Sequence, residues 1–513
     1  MALVVSGFSR KISALTLTLA ITIACAGNRP PVAGAPQVVS ENVSREALQD
    51  LRQQLATLFN APVMAHGTWG VEVRSLDRGD ILFAHNAGRL MMPASNMKIL
   101  TLAVAAERLG WDYHFTTTLE TSGIVEAGVL HGDLVVRSNG DPTMSTRGKR
   151  GPQVLDEWAT ALQDMGITGI DGRIVGDDQA FDDEVIGPGW SWDYLEAGYA
   201  APVGALQYNE NTADLTTAAG AAVGDPIVVQ LAPGSGYSVM NRAITGDGAE
   251  SGRRGAVSVS RRIDRPELEI SGMLPLGAPS VSRVVAVINP TLFFAQSLKD
   301  GLIARGIPVS GEAVDGDDVA AQPEMALERR VLVTTTSPSL RDIATVLMKV
   351  SQNQYAETLL KAAGAANGGI GTTSAGRRAA IETFTSWGIP TDGYVMSDGS
   401  GLSRYNYIAP STITTILAKM YSEPKHRDAF LATLPIAGKD GTISSRMRKT
   451  RAEGNAVAKT GSIANVRSLS GYVRTRNGEL LAFSIIANDF VIPSATVNYI
   501  ADVAVEALAN LIR

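Results

Sequence analysis

The chain has 513 residues, 45% of them apolar and 19% charged, with a formal net charge of −6. That balance describes a globular protein large enough for two or three domains, and nothing polybasic points to nucleic acid. A single cysteine, Cys25, excludes an internal disulfide framework and any cysteine-based metal cluster.

Arg10-Lys11 precede the uncharged run Ile12–Ala24, which reads as a secretory leader too short for a membrane span. Ala24-Cys25-Ala26 fits a signal-peptidase site, while Ile23-Ala24-Cys25 resembles a lipobox that would leave Cys25 lipidated. Either reading makes residues 1–26 a leader and puts the mature protein in the periplasm or otherwise outside the cytoplasmic membrane. A lipid on Cys25 would be the one membrane contact. The Pro- and Gly-bearing stretch 27–42 reads as a tether.

Ser44–Asn60 predicts a helix, with Ser44 as N-cap and leucines at 48, 51, 55 and 58. Thr68–Val73 and Ile81–Ala84 predict a hairpin. Pro93-Ala-Ser95-Asn-Met-Lys98 then opens an apolar helical run to Leu109. From Thr116 the texture changes to short strands between turns, among them Thr117–Glu120, Gly132–Arg137, Ile227–Leu231, Val257–Ser260 and Leu268–Ser271. The helical period returns over Ser339–Val350, Gln354–Ala363, Thr373–Trp387 and Pro410–Tyr421, broken at Ser351-Gln352-Asn353. Strands at Ala456–Thr460, Ser468–Arg474 and Leu480–Ile486 precede a closing helix, Ala495–Arg513. The pattern predicts an α+β fold in which a helix-and-strand unit, 43–115 and 326–513, is split by a β-rich block, 116–325.

The histidines at 66, 85, 114, 131 and 426 have no triad or metal-ligand spacing, so no metal site is expected. A serine hydrolase here needs another base. Lysine serves when burial and a neighbouring cation lower its pKa, and Ser95-x-x-Lys98 puts serine and lysine one helical turn apart. The plainer reading makes Ser95 an N-cap and Lys98 a surface lysine. The spacing alone is cheap. Ser422-Glu-Pro-Lys425 repeats it where Pro424 and flanking charges predict an exposed loop, and Ser40-Glu-Asn42 repeats Ser-x-Asn by chance. The weight lies in order. Ser351-x-Asn353 falls on a connection between helices, and Lys459-Thr460-Gly461 falls on a strand, where Gly461 is expected to let substrate approach the backbone. Ser-x-x-Lys, Ser-x-Asn and Lys-Thr-Gly follow the sequence of the penicillin-recognising serine enzymes.

Together with Asn139-Gly-Asp-Pro-Thr143, Pro188-Gly-Trp-Ser-Trp-Asp193, Asp398-Gly-Ser-Gly-Leu-Ser-Arg404 and Ser468-Leu-Ser-Gly-Tyr-Val473, these motifs resemble one family. It is the class C, low-molecular-mass penicillin-binding proteins, D-alanyl-D-alanine carboxypeptidases and endopeptidases of the penicillin-binding protein 4 type. The resemblance runs from about 45 to 510. It implies a transpeptidase-like core, an antiparallel sheet packed with helices, and a large insertion between the first two motifs. The implied substrates are peptidoglycan stem peptides ending in D-Ala-D-Ala or cross-linked through D-Ala. β-Lactams are implied as covalent inhibitors, and no cofactor is implied.

By the same resemblance Ser95 is the nucleophile and Lys98 its base, kept neutral by burial and by Lys459. Ser351 relays the proton and Asn353 holds the substrate amide. The N–H groups of Ser95 and Ser462 form the oxyanion hole, and Lys459, Thr460 and Ser462, beside Gly461, receive the terminal carboxylate. Trp190, Asp193 and Arg404 read the diamino acid side chain of the stem, with Arg404 suited to the far carboxylate of meso-diaminopimelate. The chain departs from the pattern at Tyr199, a single aromatic where relatives show two adjacent tyrosines, and at Ala464, which replaces a polar residue. Rival readings are a penicillin-hydrolysing β-lactamase, a non-catalytic penicillin-sensing or cell-wall-binding protein, and an esterase. The first would need a deacylating Glu-x-x-Leu-Asn segment that the sequence lacks.

Overall fold

The computed structural model describes residues 41–247 and 257–513. The leader, Cys25 and the tether up to residue 40 lie outside the described residues. The core grows from Leu480–Asn488, a strand of nine residues, every one of them buried. A strand apolar on both faces belongs in the middle of a sheet, and there it lies. The antiparallel order is Ile81–His85, Thr68–Ser75, Leu480–Asn488, Val466–Arg474 and Val457–Ile463.

Alternation sends Phe483 and Ile485 to one face and Ala482 and Ile486 to the other. The first face is covered by Glu41–Phe59 and Ser494–Asn510, through Leu51, Leu55, Val497 and Val505. The second is covered by a helical layer: Met97–Leu109, Leu340–Lys349, Asn353–Ala365, Thr373–Ser386, Pro410–Ser422 and Pro424–Thr433. Burying one such Leu, Ile or Phe contributes roughly 1.5–3 kcal/mol. These two apolar layers hold the site described below.

A second five-stranded sheet runs Ala313–Asp315, Ile174–Asp177, Leu134–Ser138, Thr116–Thr121 and Arg330–Thr336. The helices Arg150–Asp164 and Pro290–Ala304 pack on it through Trp158, Leu162, Phe294 and Leu298. A smaller core lies between Thr212–Ala218 with its two partner strands and the sheet around Glu267–Pro275.

The tract expected to be β-rich is so, and it also carries two 15-residue helices that the sequence reading did not place. One of them had a legible start, because Asn289 caps it by accepting from Leu292 N at 2.9 Å and Pro290 follows at the first helical position. Ser44 is not an N-cap, since its helix already includes Glu41. Pro424 opens the helix Pro424–Thr433 instead of marking a loop. Among the described residues no helix is long and apolar enough to cross a membrane.

Candidate active site

The first ten residues of the helix Met97–Leu109 are all buried. Ser95 sits just before it, in the turn Ala94–Asn96, and no side chain there caps the helix. The N-cap expectation for Ser95 therefore gives way: its hydroxyl faces Lys98 instead. The turn is tightly held. Ala94 has a left-handed φ of 47°, and a Cβ on Gly401 beneath it would stand 1.8 Å from the Ala94 carbonyl oxygen. Asn96 Nδ2 donates to Ser470 Oγ at 2.6 Å, which ties the turn to the sheet.

Lys98 is fully buried, at 0% exposure. Its Nζ lies 3.0 Å from Ser95 Oγ, 2.6 Å from Asn353 Oδ1 and 2.7 Å from the Ser400 carbonyl oxygen. A neutral amine has two N–H donors and one lone pair. In that neutral form the amine can give its N–H groups to the two pure acceptors and turn its lone pair to the Ser95 hydroxyl. Burial draws the Lys98 pKa from 10.5 to about 7, against the opposing pull of Asp398 and Glu357. Glu357 is itself buried. It accepts from Gly399 N at 2.8 Å and Ser400 N at 2.7 Å, and burial and the Asp398 charge push its carboxyl up to about 7.

Lys459, also fully buried, donates to Ser351 Oγ at 2.7 Å and to the Thr460 carbonyl at 2.8 Å. Burial, and then the Lys98 charge, hold it well below its ordinary value. Burial, and not Lys459, is thus what lowers Lys98, and Lys459 is itself lowered.

Ser351 occupies the connection between Leu340–Lys349 and Asn353–Ala365 with a left-handed φ of 64°. Asn353 Nδ2 donates to the Tyr199 carbonyl at 2.7 Å, so its amide spans Lys98 and the inserted block. Lys459, Thr460, Gly461 and Ser462 lie on the edge strand Val457–Ile463, and Thr460 Oγ1 donates to Thr442 Oγ1 at 2.8 Å. Gly461 has a different reason from the one expected. A Cβ there would stand 2.1 Å from Ser468 Oγ and 2.5 Å from the Pro93 carbonyl oxygen, so the glycine admits the Ser95 turn.

These groups border a cleft of about 430 Å³, lined by Ser95, Ser351, Asn353, Thr460, Ser462 and the rings of Tyr194 and Tyr199. The two rings meet edge to face at 5.6 Å. Tyr194 thus supplies the second aromatic that the sequence beside Tyr199 lacks. Arg404 Nη2 donates to the carbonyl of Ala464, a lining residue, at 3.5 Å. Trp190 and Asp193 are not among the lining residues. Trp190 Nε1 donates to Asp398 Oδ2 at 2.9 Å, and Asp193 is exposed and bonded to Ser191 Oγ. Glu357, Tyr194 and Thr442 were not among the expected site residues, and Asp398 was given no role although it heads the motif Asp398-Gly-Ser-Gly-Leu-Ser-Arg404. The decoy Lys425 is exposed and paired with Glu107 at 2.8 Å. His426 is buried, held by Trp111 Nε1 at 3.1 Å and Glu107 at 2.8 Å.

A serine–lysine pair, a second serine and lysine opposite, and an antiparallel sheet clasped by helices define a penicillin-recognising serine hydrolase. The D-Ala-D-Ala carboxypeptidase 3 (S13) family matches residues 51–511, and the chain belongs to that family. It is a serine-type D-Ala-D-Ala carboxypeptidase of the penicillin-binding protein 4 type. The D-alanyl-D-alanine carboxypeptidase of Actinomadura sp. (strain R39) is 31% identical over 94% of this chain and 87% of its own. D-Alanyl-D-alanine carboxypeptidase DacB of Haemophilus influenzae is 27% identical over 89% of this chain and 90% of its own. The crystal structure of penicillin-binding protein 4 from H. influenzae matches with a TM-score of 0.76 at 25% identity, covering 90% of this chain and 99% of that one. A second structure of that protein, complexed with a β-lactam, matches with a TM-score of 0.70.

Proposed function

We propose that the chain cleaves both terminal D-Ala-D-Ala bonds and D-Ala cross-links of peptidoglycan stems through an acyl-enzyme on Ser95. β-Lactams block it by acylating the same oxygen. The observation that carries this reading is the Lys98 amine. It is buried, two pure acceptors, Asn353 Oδ1 and the Ser400 carbonyl, lie beside it, and its Nζ stands 3.0 Å from Ser95 Oγ.

Ser95 Oγ attacks the carbonyl carbon as its proton passes to Lys98 Nζ. The N–H groups of Ser95 and of Ser462, on the edge strand, stabilise the oxyanion. The C–N bond then breaks, and the proton returns through Ser351 to the leaving D-alanine amine. Asn353 holds the substrate amide. The terminal carboxylate settles against Lys459, Thr460 and Ser462. An anion beside Lys459 raises its pKa, and the charge it gains then lowers that of Lys98. Substrate binding therefore frees the base. Water releases the acyl group in the last step.

Arg404 takes the far carboxylate of the stem's diamino acid. Asp193 is the partner of its ammonium, and Trp190, its N–H already committed to Asp398, contributes its ring. The division into a split catalytic unit, 43–115 and 326–513, and an inserted block, 116–325, is part of the same proposal, with Arg330–Thr336 closing the inserted block's sheet. Export follows from the 1–26 leader, with a lipid on Cys25 in the lipobox reading. Mass spectrometry of the mature N-terminus decides between the two leader readings.

The test is to incubate the purified protein with fluorescent penicillin and, in parallel, with a peptide ending in D-Ala-D-Ala and a D-Ala cross-linked dimer. Stable label that is lost in Ser95→Ala, with D-alanine release and dimer cleavage, is expected. Rapid penicillin turnover without D-alanine release would favour the β-lactamase reading. Label without any peptide cleavage would favour the sensor.

A further inference from the structure

The inserted block contains a strained turn that aims one side chain out of the block. Asn209, Glu210 and Asn211 have φ of 49°, 58° and 53°, three successive left-handed residues without a glycine. Asparagine tolerates that region because its short amide bonds the local backbone, but glutamate has no such compensation. Both asparagines are used as braces. Asn209 Oδ1 accepts from Thr146 Oγ1 at 2.6 Å and its Nδ2 donates to the Thr212 carbonyl at 3.0 Å. Asn211 Nδ2 donates to the Pro202 carbonyl at 2.8 Å, and its Oδ1 accepts from Tyr208 N at 3.2 Å. The central residue, a glutamate, is thereby aimed.

Its target is Gln352, the middle residue of the Ser351-Gln352-Asn353 motif. Gln352 Nε2 donates to Glu210 Oε2. The other end of the same amide caps the catalytic helix, since Gln352 Oε1 accepts from Gln354 N at 3.2 Å. Arg147 Nε and Nη2 grip the Glu210 carboxylate at 2.5 and 3.2 Å and fix its plane. The Glu210 side chain is only 11% exposed, so solvent does little to weaken the contact. On one side of Gln352 stands Ser351, itself left-handed, whose Oγ accepts from Lys459 at 2.7 Å. On the other stands Asn353, tied to the Tyr199 carbonyl at 2.7 Å. The inserted block therefore holds the second motif at two points, the side chain of Gln352 and the amide of Asn353.

We propose that Glu210 is a positioning residue for the reaction: from its left-handed turn it locks Gln352, and through Gln352 it keeps Ser351 strained toward Lys459. This rests on the proposed roles of Ser95, Ser351 and Lys459. Strained backbone persists only where its surroundings over-determine it, and the Arg147–Glu210–Gln352 chain is what over-determines Ser351. Releasing Gln352 lets Ser351 relax, its Oγ leaves Lys459, and the proton path to the leaving amine lengthens.

A charge swap tests this in the full chain. Gln352→Glu sets two carboxylates face to face, and Glu210→Gln in the same protein restores an amide opposite a carboxylate. Three readouts are compared among wild type, both single variants and the double. They are the second-order rate of Ser95 acylation by fluorescent penicillin, kcat and KM for D-alanine release, and hydrogen–deuterium exchange over residues 349–356. Gln352→Glu is expected to acylate about 30-fold more slowly, with kcat falling more than KM rises and exchange speeding up over 349–356. The double variant is expected to recover about tenfold of that rate and the slow exchange. Glu210→Gln alone keeps an amide–amide bond, with an expected two- to threefold loss. A double variant no better than Gln352→Glu would overturn the proposal, as would unchanged exchange in Gln352→Glu. The exchange readout does not depend on catalysis. If wild type failed to label at Ser95, the functional reading would fall while the coupling of Glu210 to the motif would still be decided.

Discussion

If Lys98 is the base, acylation must follow its titration, and the structure makes that titration unusual. A lysine of ordinary pKa is about 0.03% neutral at pH 7 and about 3% neutral at pH 9, so the rate would climb about 100-fold between them. With its pKa brought from 10.5 to about 7 by burial, Lys98 is about half neutral at pH 7 and almost wholly neutral at pH 9. The expected rise is only about twofold. Below pH 7 the rate should fall, approaching about tenfold per unit, to about 2% of its pH 7 value at pH 5. The assay is the second-order rate of labelling by fluorescent penicillin from pH 5 to pH 9.5, with Ser95→Ala as the blank. A rate still climbing tenfold per unit between pH 8 and 9.5 would refute the depressed lysine. A rate flat down to pH 5 would refute lysine as the base.

The same shift has a consequence for stability. Between pH 7 and 10.5 folded Lys98 holds fewer protons than the unfolded chain, so stability rises with pH across that window, by at most about 5 kcal/mol. In Lys98→Met, chemical denaturation at pH 7 and pH 10 should show that contribution gone; parallel pH curves for the two proteins would contradict it. Gly461→Ala should slow acylation at least tenfold and cost roughly 1–3 kcal/mol, because its Cβ meets Ser468 Oγ and Pro93 O. Melting curves and labelling rates check both. Lys425→Ala should leave acylation within about twofold, since the exposed pair with Glu107 contributes at most about 1 kcal/mol. Arg404→Ala should raise KM for a stem bearing a carboxylated diamino acid at least tenfold and leave penicillin labelling near wild type, measured by steady-state release of D-alanine.

What could be read along the chain was whatever depends on order and period. The strand Leu480–Ile486 shows in an apolar run broken only by Ser484, and Ser95, Lys98, Ser351, Asn353 and Lys459 are legible because short spacings survive in one dimension. What could not be read depends on contacts between distant segments. Glu357 looks like any helical glutamate until the Gly399–Ser400 amides close on it. Gly461 looks like a concession to substrate until Pro93 and Ser468 are found pressed against it. Trp190 was given its place by the resemblance of its motif, and only the folded chain shows its indole N–H turned to Asp398. The helix Arg150–Asp164 was hidden by Gly151 and Pro152 in its first turn, where proline costs little.

The broken rules cluster. Two lysines are buried without a direct carboxylate partner, and Ala94 and Ser351 take left-handed backbones that glycine would adopt more cheaply. Each departure costs stability, of order 1–3 kcal/mol for a strained residue and more for a buried ammonium. None sits in a loop free to relax. Ala94 is backed by Gly401, Ser351 lies between two helices of the main core, and Lys98 grows from a helix buried on every side at its start. A rigid, apolar surround is the condition under which a neutral lysine is preferred to an ionised one, because it denies the ammonium both water and room to reach any. The large core is thus part of the chemistry, because it is what keeps solvent from Lys98.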